Sequence, residues 1–321
     1  MVDPWHSCID KELSICEQTM MDALQFENPE LTEMCRYVVS SGGKRLRPSL
    51  CIISYLMCGG TDVQTPINIG AAFEIVHSAT LVHDDINDQG EIRRGRKTLH
   101  REYTTTKAIV AGDCMFAVGY NLLVDVKSEI VRYVLEASSA MASGEFVQKD
   151  YEHVSRVTEK DYLKIISGKT AKLFEASAKS GAYTADPDSD YISNVGNFAH
   201  ELGLAFQIVD DTLDVTGDPH NTGKAIGTDL LEGKPTLPLI YALEDPRYKE
   251  ELTALFEEVD VTTDMVVRAL EIIRDTDAVE RCLQRAREKA EDAKAMLDPL
   301  PDSVYKQSLL SLADYVVSRD R

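Results

Sequence analysis

The chain has 321 residues, with 34 Lys and Arg against 54 Asp and Glu, for a formal net charge of -20 at pH 7. A field of that sign disfavours nucleic acid and anionic membrane surfaces as partners, although a local basic cluster can still hold an anionic substrate. Hydrophobic residues make up 44% of the sequence, enough for a substantial core, and the length fits one large domain or two ordinary ones.

The opening residues, Met1-Val2-Asp3-Pro4-Trp5-His6, have neither a basic nor an apolar region and do not read as a signal peptide. Seven cysteines (8, 16, 35, 51, 58, 114 and 282) show no CxxC pair and no Cys/His metal spacing, so reduced thiols in a cytoplasmic protein are expected. The first motif is Gly42-Gly43-Lys44-Arg45-Leu46-Arg47-Pro48. Two glycines allow close backbone approach, three cations follow, and Pro48 suits the first turn of a helix. An anion-binding loop and a plain basic surface turn both fit that pattern. The longest apolar run, Leu50 to Cys58, is too short to span a bilayer, so no transmembrane segment is expected.

Apolar residues then recur every three or four positions, which predicts helices over 66–88, 107–126, 130–148, 161–180, 189–214, 237–243, 265–273, 278–297 and 303–317, besides 50–58. Asp161 is expected to open the central helix. Breaks fall at Cys58-Gly59-Gly60, 181–188, 217–227 and 297–299, where Gly, Pro, Asn and Asp gather. Little of the chain alternates like strands, and no linker is long enough to separate domains. Residues 1–321 therefore read as one all-α domain.

Two DDxxD segments carry the chemistry. The first is Asp84-Asp85-Ile86-Asn87-Asp88, followed by Arg93-Arg94-Gly95; the second is Asp210-Asp211-Thr212-Leu213-Asp214, followed by Gly223-Lys224 and Gly233-Lys234. Carboxylates this dense repel one another unless a cation joins them, and Mg²⁺ takes one or two carboxylates plus substrate phosphates. Basic residues behind the acids suit the far side of the same phosphate. Asp84 and Asp88 lie one turn apart with His77 on nearly the same stripe; Gln207, Asp210 and Asp214 share a face. A solvated acidic surface explains neither the apolar sequence before each run nor the trailing Lys and Arg. The pattern points to an enzyme acting on a diphosphate.

With GKTAKLF at 168–174, AGD at 111–113 and GKAIGTDLLEGKPTLP at 223–238, the ordered motifs resemble the all-trans polyprenyl diphosphate synthases from about Gly42 to Pro238. The resemblance implies an isoprenoid-synthase helical bundle with a central cavity, usually a homodimer, with Mg²⁺ between two aspartate-rich helices. It implies condensation of isopentenyl diphosphate with an allylic diphosphate. Asp84, Asp88 and Asp210 match direct metal ligands, with Asp85, Asp211 and Asp214 nearby or bonding through water. Lys44, Arg47, His77 and Arg94 match the isopentenyl diphosphate site. Arg93, Lys169, Lys224 and Lys234 match the allylic diphosphate site, and Thr170 and Gln207 match polar groups near the reacting carbons. Ala79 and Thr80 are small where short-chain members carry an aromatic, so the resemblance implies a product longer than C15: C20 to C25, with C30 or more open. Phe116 and Tyr120 are either a cavity floor or ordinary core aromatics. The sequence departs from the family pattern at Lys97, Glu145 and Ala225. A terpene cyclase would lack the basic loop at 42–48, and a regulatory subunit would have lost aspartates or the paired arginines.

Overall fold

The computed structural model describes residues 5–217 and 226–319, and nearly all of their regular structure is helical. By its contacts the chain forms two compact units. The first comprises Met1–Ala137, Leu173–Ala199 and Met296–Leu312; the second comprises Ser138–Lys172, His200–Ala295 and Ala313–Arg321.

In the first unit, α1 (Asp10–Ala23), α3 (Leu46–Met57) and α6 (Thr105–Asn121) pack around α4 (Gln64–Asn87). Helix α4 is apolar around most of its circumference, with Ile67, Ile69, Phe73, Ile75, Val76 and Ala79 all buried, as a helix enclosed on all sides must be. Gly119 of α6 lets the helices close: a Cβ there would stand 2.7 Å from a Val76 methyl. Helix α2 (Pro29–Val39) begins with Asn28 accepting from the amides of Glu30 and Leu31, and with Pro29 in the first turn. Neither α1 nor α2 was expected from periodicity, although Asn28-Pro29 is a legible start signal.

The hairpin was also unexpected. Strands β1 (Ile92–Arg93) and β2 (Arg96–Lys97) pair antiparallel, joined by Arg94 and Gly95 at φ 51° and 73°. Two left-handed central residues are the geometry of a type I′ turn, whose twist matches the paired strands. The short α5 (Leu99–Glu102) follows.

The second unit is built around α8 (Glu159–Ile166), the last turns of α10 (Ser189–Thr216), and α11 (Thr228–Leu231), α12 (Leu237–Ala242), α13 (Lys249–Phe256), α14 (Thr263–Asp275) and most of α15 (Ala278–Leu297). Its core includes Tyr162, Ile166, Ile208, Val209, Leu237, Leu252, Ile273 and Cys282. Helix α7 (Ser128–Asp150), α9 (Lys172–Thr184) and α16 (Val304–Ser318) complete the described chain.

The central helix corrects the expectation over 161–180 in two ways. It starts at Glu159, because Thr158 caps it; Asp161 is the third helical residue, and its carboxylate reaches back to the Thr158 amide to complete a capping box. It is not continuous either: Ser167–Ala171 forms a π-helical turn between α8 and α9. Glycines explain where the wide turn sits. A Cβ on Gly168 would stand 2.9 Å from the Ala140 carbonyl oxygen, and one on Gly144 would stand 3.0 Å from the Lys169 amide nitrogen. Helix α7 and the π turn thus touch backbone to backbone, which only glycine permits.

All seven cysteines are unpaired. Burial pushes the thiols of Cys16, Cys51 and Cys282 far above their ordinary range, and that of Cys35 up to about 12. Protonated, enclosed thiols are poor nucleophiles. No described helix is long and apolar enough to cross a membrane.

Candidate active site

Each acidic run ends a long helix: Asp84 and Asp85 lie in the last turn of α4 with Asp88 as its cap, and Asp210, Asp211 and Asp214 lie in the last turns of α10. A helix C-terminus carries partial negative charge and disfavours carboxylates, so both clusters are costly in stability. Among the described residues, no three or more His, Cys, Asp or Glu are arranged to hold a metal ion by themselves.

In the first unit, Asp85 is 7% exposed and accepts from Arg93 Nε at 2.6 Å, while Asp84 and Asp88 are half-buried. Arg93 is therefore engaged by an aspartate rather than left for phosphate alone. Three basic groups converge beside it. Arg94, projected by the hairpin turn, donates to the Gly42 carbonyl and lies across Gly43, where a Cβ would come within 2.9 Å of its guanidinium. Arg47 lies over the Phe174 ring at 4.9 Å, with its Nε buried and without a hydrogen-bond partner among the described residues. Burial lowers the Arg47 pKa to about 10 and also lowers that of Arg94. His77 is held well below its usual range, by burial first and then by Arg47, Arg94, Arg93 and Arg45. Buried Glu74 offsets part of the positive charge at Arg47 and Arg94, and an anion bound beside the histidine would relieve more of it.

Arg45 differs from its neighbours. It adopts a left-handed conformation at φ 49° and is paired with Glu17 and with buried Glu74, each at 3.1 Å. Within 42–48, then, Arg45 holds the loop while Arg47 faces the other cations; Lys44 is half-buried.

Further along α4, Ala79 is fully buried and the Thr80 hydroxyl donates to the His77 carbonyl at 2.8 Å. Phe116 and Tyr120 of α6 stack at 6.4 Å with planes 17° apart, and both are half-buried. His83 rests on Gly112 with its ring nitrogen 3.2 Å from the Ile109 carbonyl, a structural contact.

In the second unit a cavity of about 120 Å³ is lined by Gln148, Lys169, Thr170, Gln207, Asp211, Asp229, Lys234 and the apolar face of α8. The Thr170 hydroxyl donates to the Gln207 carbonyl at 2.8 Å, the Gln207 amide donates to Asp211 at 2.7 Å, and the Tyr162 hydroxyl donates to the other Asp211 oxygen at 2.7 Å. Burial, then the charge of Asp229, pushes the Asp211 carboxyl well above its ordinary range. Those donors stabilise its ionised form, and a bound cation would do so further. Lys169 pairs with Glu145 and donates to Gln148 at 2.9 Å; Lys234 pairs with Glu232 at 2.5 Å. Asp214 accepts the amides of Thr228 and Asp229 at 3.2 and 3.1 Å, which fixes the start of α11. Asp210 is half-exposed and lies 3.4 Å from Arg319. Lys224 and Ala225 lie outside the described residues. Sequence reasoning missed Tyr162 and Gln148, which no motif marks, and Asp229, which lies within the 223–238 motif without having been singled out.

Residues 28–273 match the family model described as polyprenyl synthetase. The chain belongs to that family. Over 312 residues it is 34% identical to the all-trans-nonaprenyl-diphosphate synthase (geranyl-diphosphate specific) of Rhodobacter capsulatus, covering 97% of this chain and 96% of that one. It is 32% identical over 297 residues to the geranylgeranyl diphosphate synthase of Methanosarcina mazei, covering 91% and 90%. The crystal structure of polyprenyl synthase from Caulobacter crescentus CB15, complexed with calcium and isoprenyl diphosphate, superposes with a TM-score of 0.96 at 31% identity, covering 100% and 98%. The protein is an all-α prenyltransferase that condenses isopentenyl diphosphate with an allylic diphosphate. Its named relatives span many product lengths, so likeness alone does not set the length of its own product.

Proposed function

We propose that residues 1–321 act as one polyprenyl synthase domain, a Mg²⁺-dependent enzyme releasing a product of C20 or longer. The observation that carries this reading is the basic cluster at the acidic end of α4, where Arg93 pairs with Asp85, Arg94 reaches the Gly42 carbonyl, and buried Arg47 keeps an Nε that no described group accepts from. Such a pocket suits the diphosphate of isopentenyl diphosphate, with Lys44 at its edge. Asp84, Asp88 and Asp210 are the proposed metal ligands. Asp85, Asp211 and Asp214, each already hydrogen-bonded, act around them. A half-buried carboxylate pair without a complete cage fits Mg²⁺, which takes its remaining ligands from water and phosphate. Bound magnesium neutralises the departing diphosphate.

Lys169, Lys234 and, by motif, Lys224 hold the allylic diphosphate together with Arg93. Thr170 and Gln207, locked to each other, orient polar atoms near the reacting carbons. An allylic cation must be shielded from water, and the apolar wall of α8 beside them supports that. The same reading includes a homodimer, in which a second copy would cover exposed apolar side chains such as Ile109 (43%), Val110 (49%) and Leu135 (51%). A cytoplasmic location is part of the same reading.

The assay is incubation with labelled isopentenyl diphosphate, Mg²⁺ and each of dimethylallyl, geranyl and farnesyl diphosphates, followed by sizing of the product. Elongation from at least one primer is expected. No incorporation would favour a second reading, in which the chain needs a partner subunit; it is 33% identical over 316 residues to heptaprenyl diphosphate synthase component 2 of Geobacillus stearothermophilus. The same assay tests the length gate. One helical turn is about one isoprene unit long, so Ala79→Phe should truncate the product series by one unit or more. An unchanged product ladder would refute gating by Ala79 and Thr80.

A further inference from the structure

Two glutamates are built against the two described lysines assigned to the allylic diphosphate. Glu145 of α7 pairs with Lys169, and Glu232, just after α11, pairs with Lys234. These are not loose surface pairs: the four side chains are between 13% and 24% exposed. The glycine contacts that bring α7 against the π turn hold the backbone next to Glu145 close to that of Lys169. On the same cavity wall, Gln148 is 9% exposed, accepts from Lys169 and keeps its amide nitrogen buried without a partner among the described residues.

We propose that Glu145 is an internal competitor for Lys169, an anion that occupies the lysine when the diphosphate is gone and returns to it to speed release. Glu232 plays the same part for Lys234. The inference rests on the assignment of both lysines to the diphosphate. A lysine can shift between a carboxylate and a phosphate by side-chain rotation, because its ammonium is a point charge with rotatable donors. The Glu145 carboxylate is then left beside the bound diphosphate, and like charges at that range oppose binding. In the opposite direction, re-formation of the ion pair offsets part of the cost of losing pyrophosphate. The site thereby trades affinity for turnover, and uniform tight binding of a diphosphate gains nothing for catalysis. Gln148 steadies Lys169 in both states, since a neutral acceptor does not contend with phosphate for charge.

The test measures binding of inorganic pyrophosphate with Mg²⁺ by calorimetry, using the full chain. Glu145→Gln keeps the shape and removes the charge. Its Kd for pyrophosphate should fall about fivefold to tenfold, a change of about 1–1.4 kcal/mol. Glu232→Gln should act in the same direction. In steady state Glu145→Gln should lower KM for the allylic substrate without raising kcat, a split that a merely structural role would not produce. Unchanged or weaker pyrophosphate binding in Glu145→Gln, with an unaltered melting curve, overturns the proposal. Lys169→Met separates this failure from failure of the site assignment. If Lys169→Met loosens pyrophosphate while Glu145→Gln does nothing, only the competitor role is lost. If Lys169→Met also leaves binding unchanged, Lys169 does not hold the diphosphate and both ideas fall.

Discussion

Asp210→Asn is expected to lower kcat by about a thousandfold while leaving the fold intact. The side chain is half-exposed near the end of α10, and its contact with Arg319, at 3.4 Å, can be kept by an amide oxygen. Substitutions at such sites usually change stability by less than about 0.5 kcal/mol. Here the sign should even be favourable, because the change removes one of three carboxylates crowded at the negative end of a helix. Loss of a charge proposed to anchor a catalytic metal is a different matter. Removing one preorganised electrostatic group costs about a hundredfold to a thousandfold, and metal neutralisation of a phosphate is worth several kcal/mol. The measurements are steady-state rates at saturating substrates beside a thermal melt. A rate within tenfold of the parent would remove Asp210 from the proposed metal ligands.

Gly181→Ala should be the most damaging single methyl addition in the first unit, lowering stability by about 3 kcal/mol. A Cβ at Gly181 of α9 would stand 1.9 Å from the carbonyl oxygen of Cys51 in α3. A side chain could rotate away from such an intrusion, but backbone cannot, so the two helices must separate. Overpacking a close-packed interior typically costs about 1–3 kcal/mol, and a backbone obstacle belongs at the upper end. The strain would spread, because Cys51 is itself tied through its thiol to the Pro66 carbonyl at 3.4 Å. Urea unfolding reads the effect as a lowered midpoint. Gly59→Ala is the comparison: nothing lies within 4 Å of its Cβ, so only the φ of 88° opposes it, at about 1–2 kcal/mol. Equal midpoints for the two variants would show that α3 and α9 can part freely.

The acidic runs, the basic loop and the helical character were legible because each is written in consecutive residues or at a helical period. Other features depend on residues far apart in the chain. The π turn exists where Gly168 meets Ala140 and Gly144 meets Lys169, a contact that no local window contains. No sequence signal marks Tyr162, because its hydroxyl finds a partner only where α10 brings Asp211 to it. The 42–48 loop was legible as basic but not as divided labour. Arg45 and Arg47 are two residues apart, yet Arg45 is hydrogen-bonded to two glutamates while Arg47 lies over the Phe174 ring with an Nε that no described group accepts from. The hairpin at 92–97 gave a faint signal in Arg94-Gly95, a dipeptide able to take two left-handed conformations in succession. The start of α8 was missed by two residues because Asp161 was taken as the opening residue, whereas its carboxylate serves the residue that caps the helix.

The wide turn at 167–171 also constrains how this chain can vary. Each helical residue advances about 100° around the axis, so a turn holding one extra residue resets the direction in which its own side chains face. Excising one residue there would restore regular winding, but Lys169 would swing away from Glu145 and Gln148, and Thr170 from Gln207. The tract should therefore resist shortening even where point substitutions are tolerated, since its length aims those two side chains.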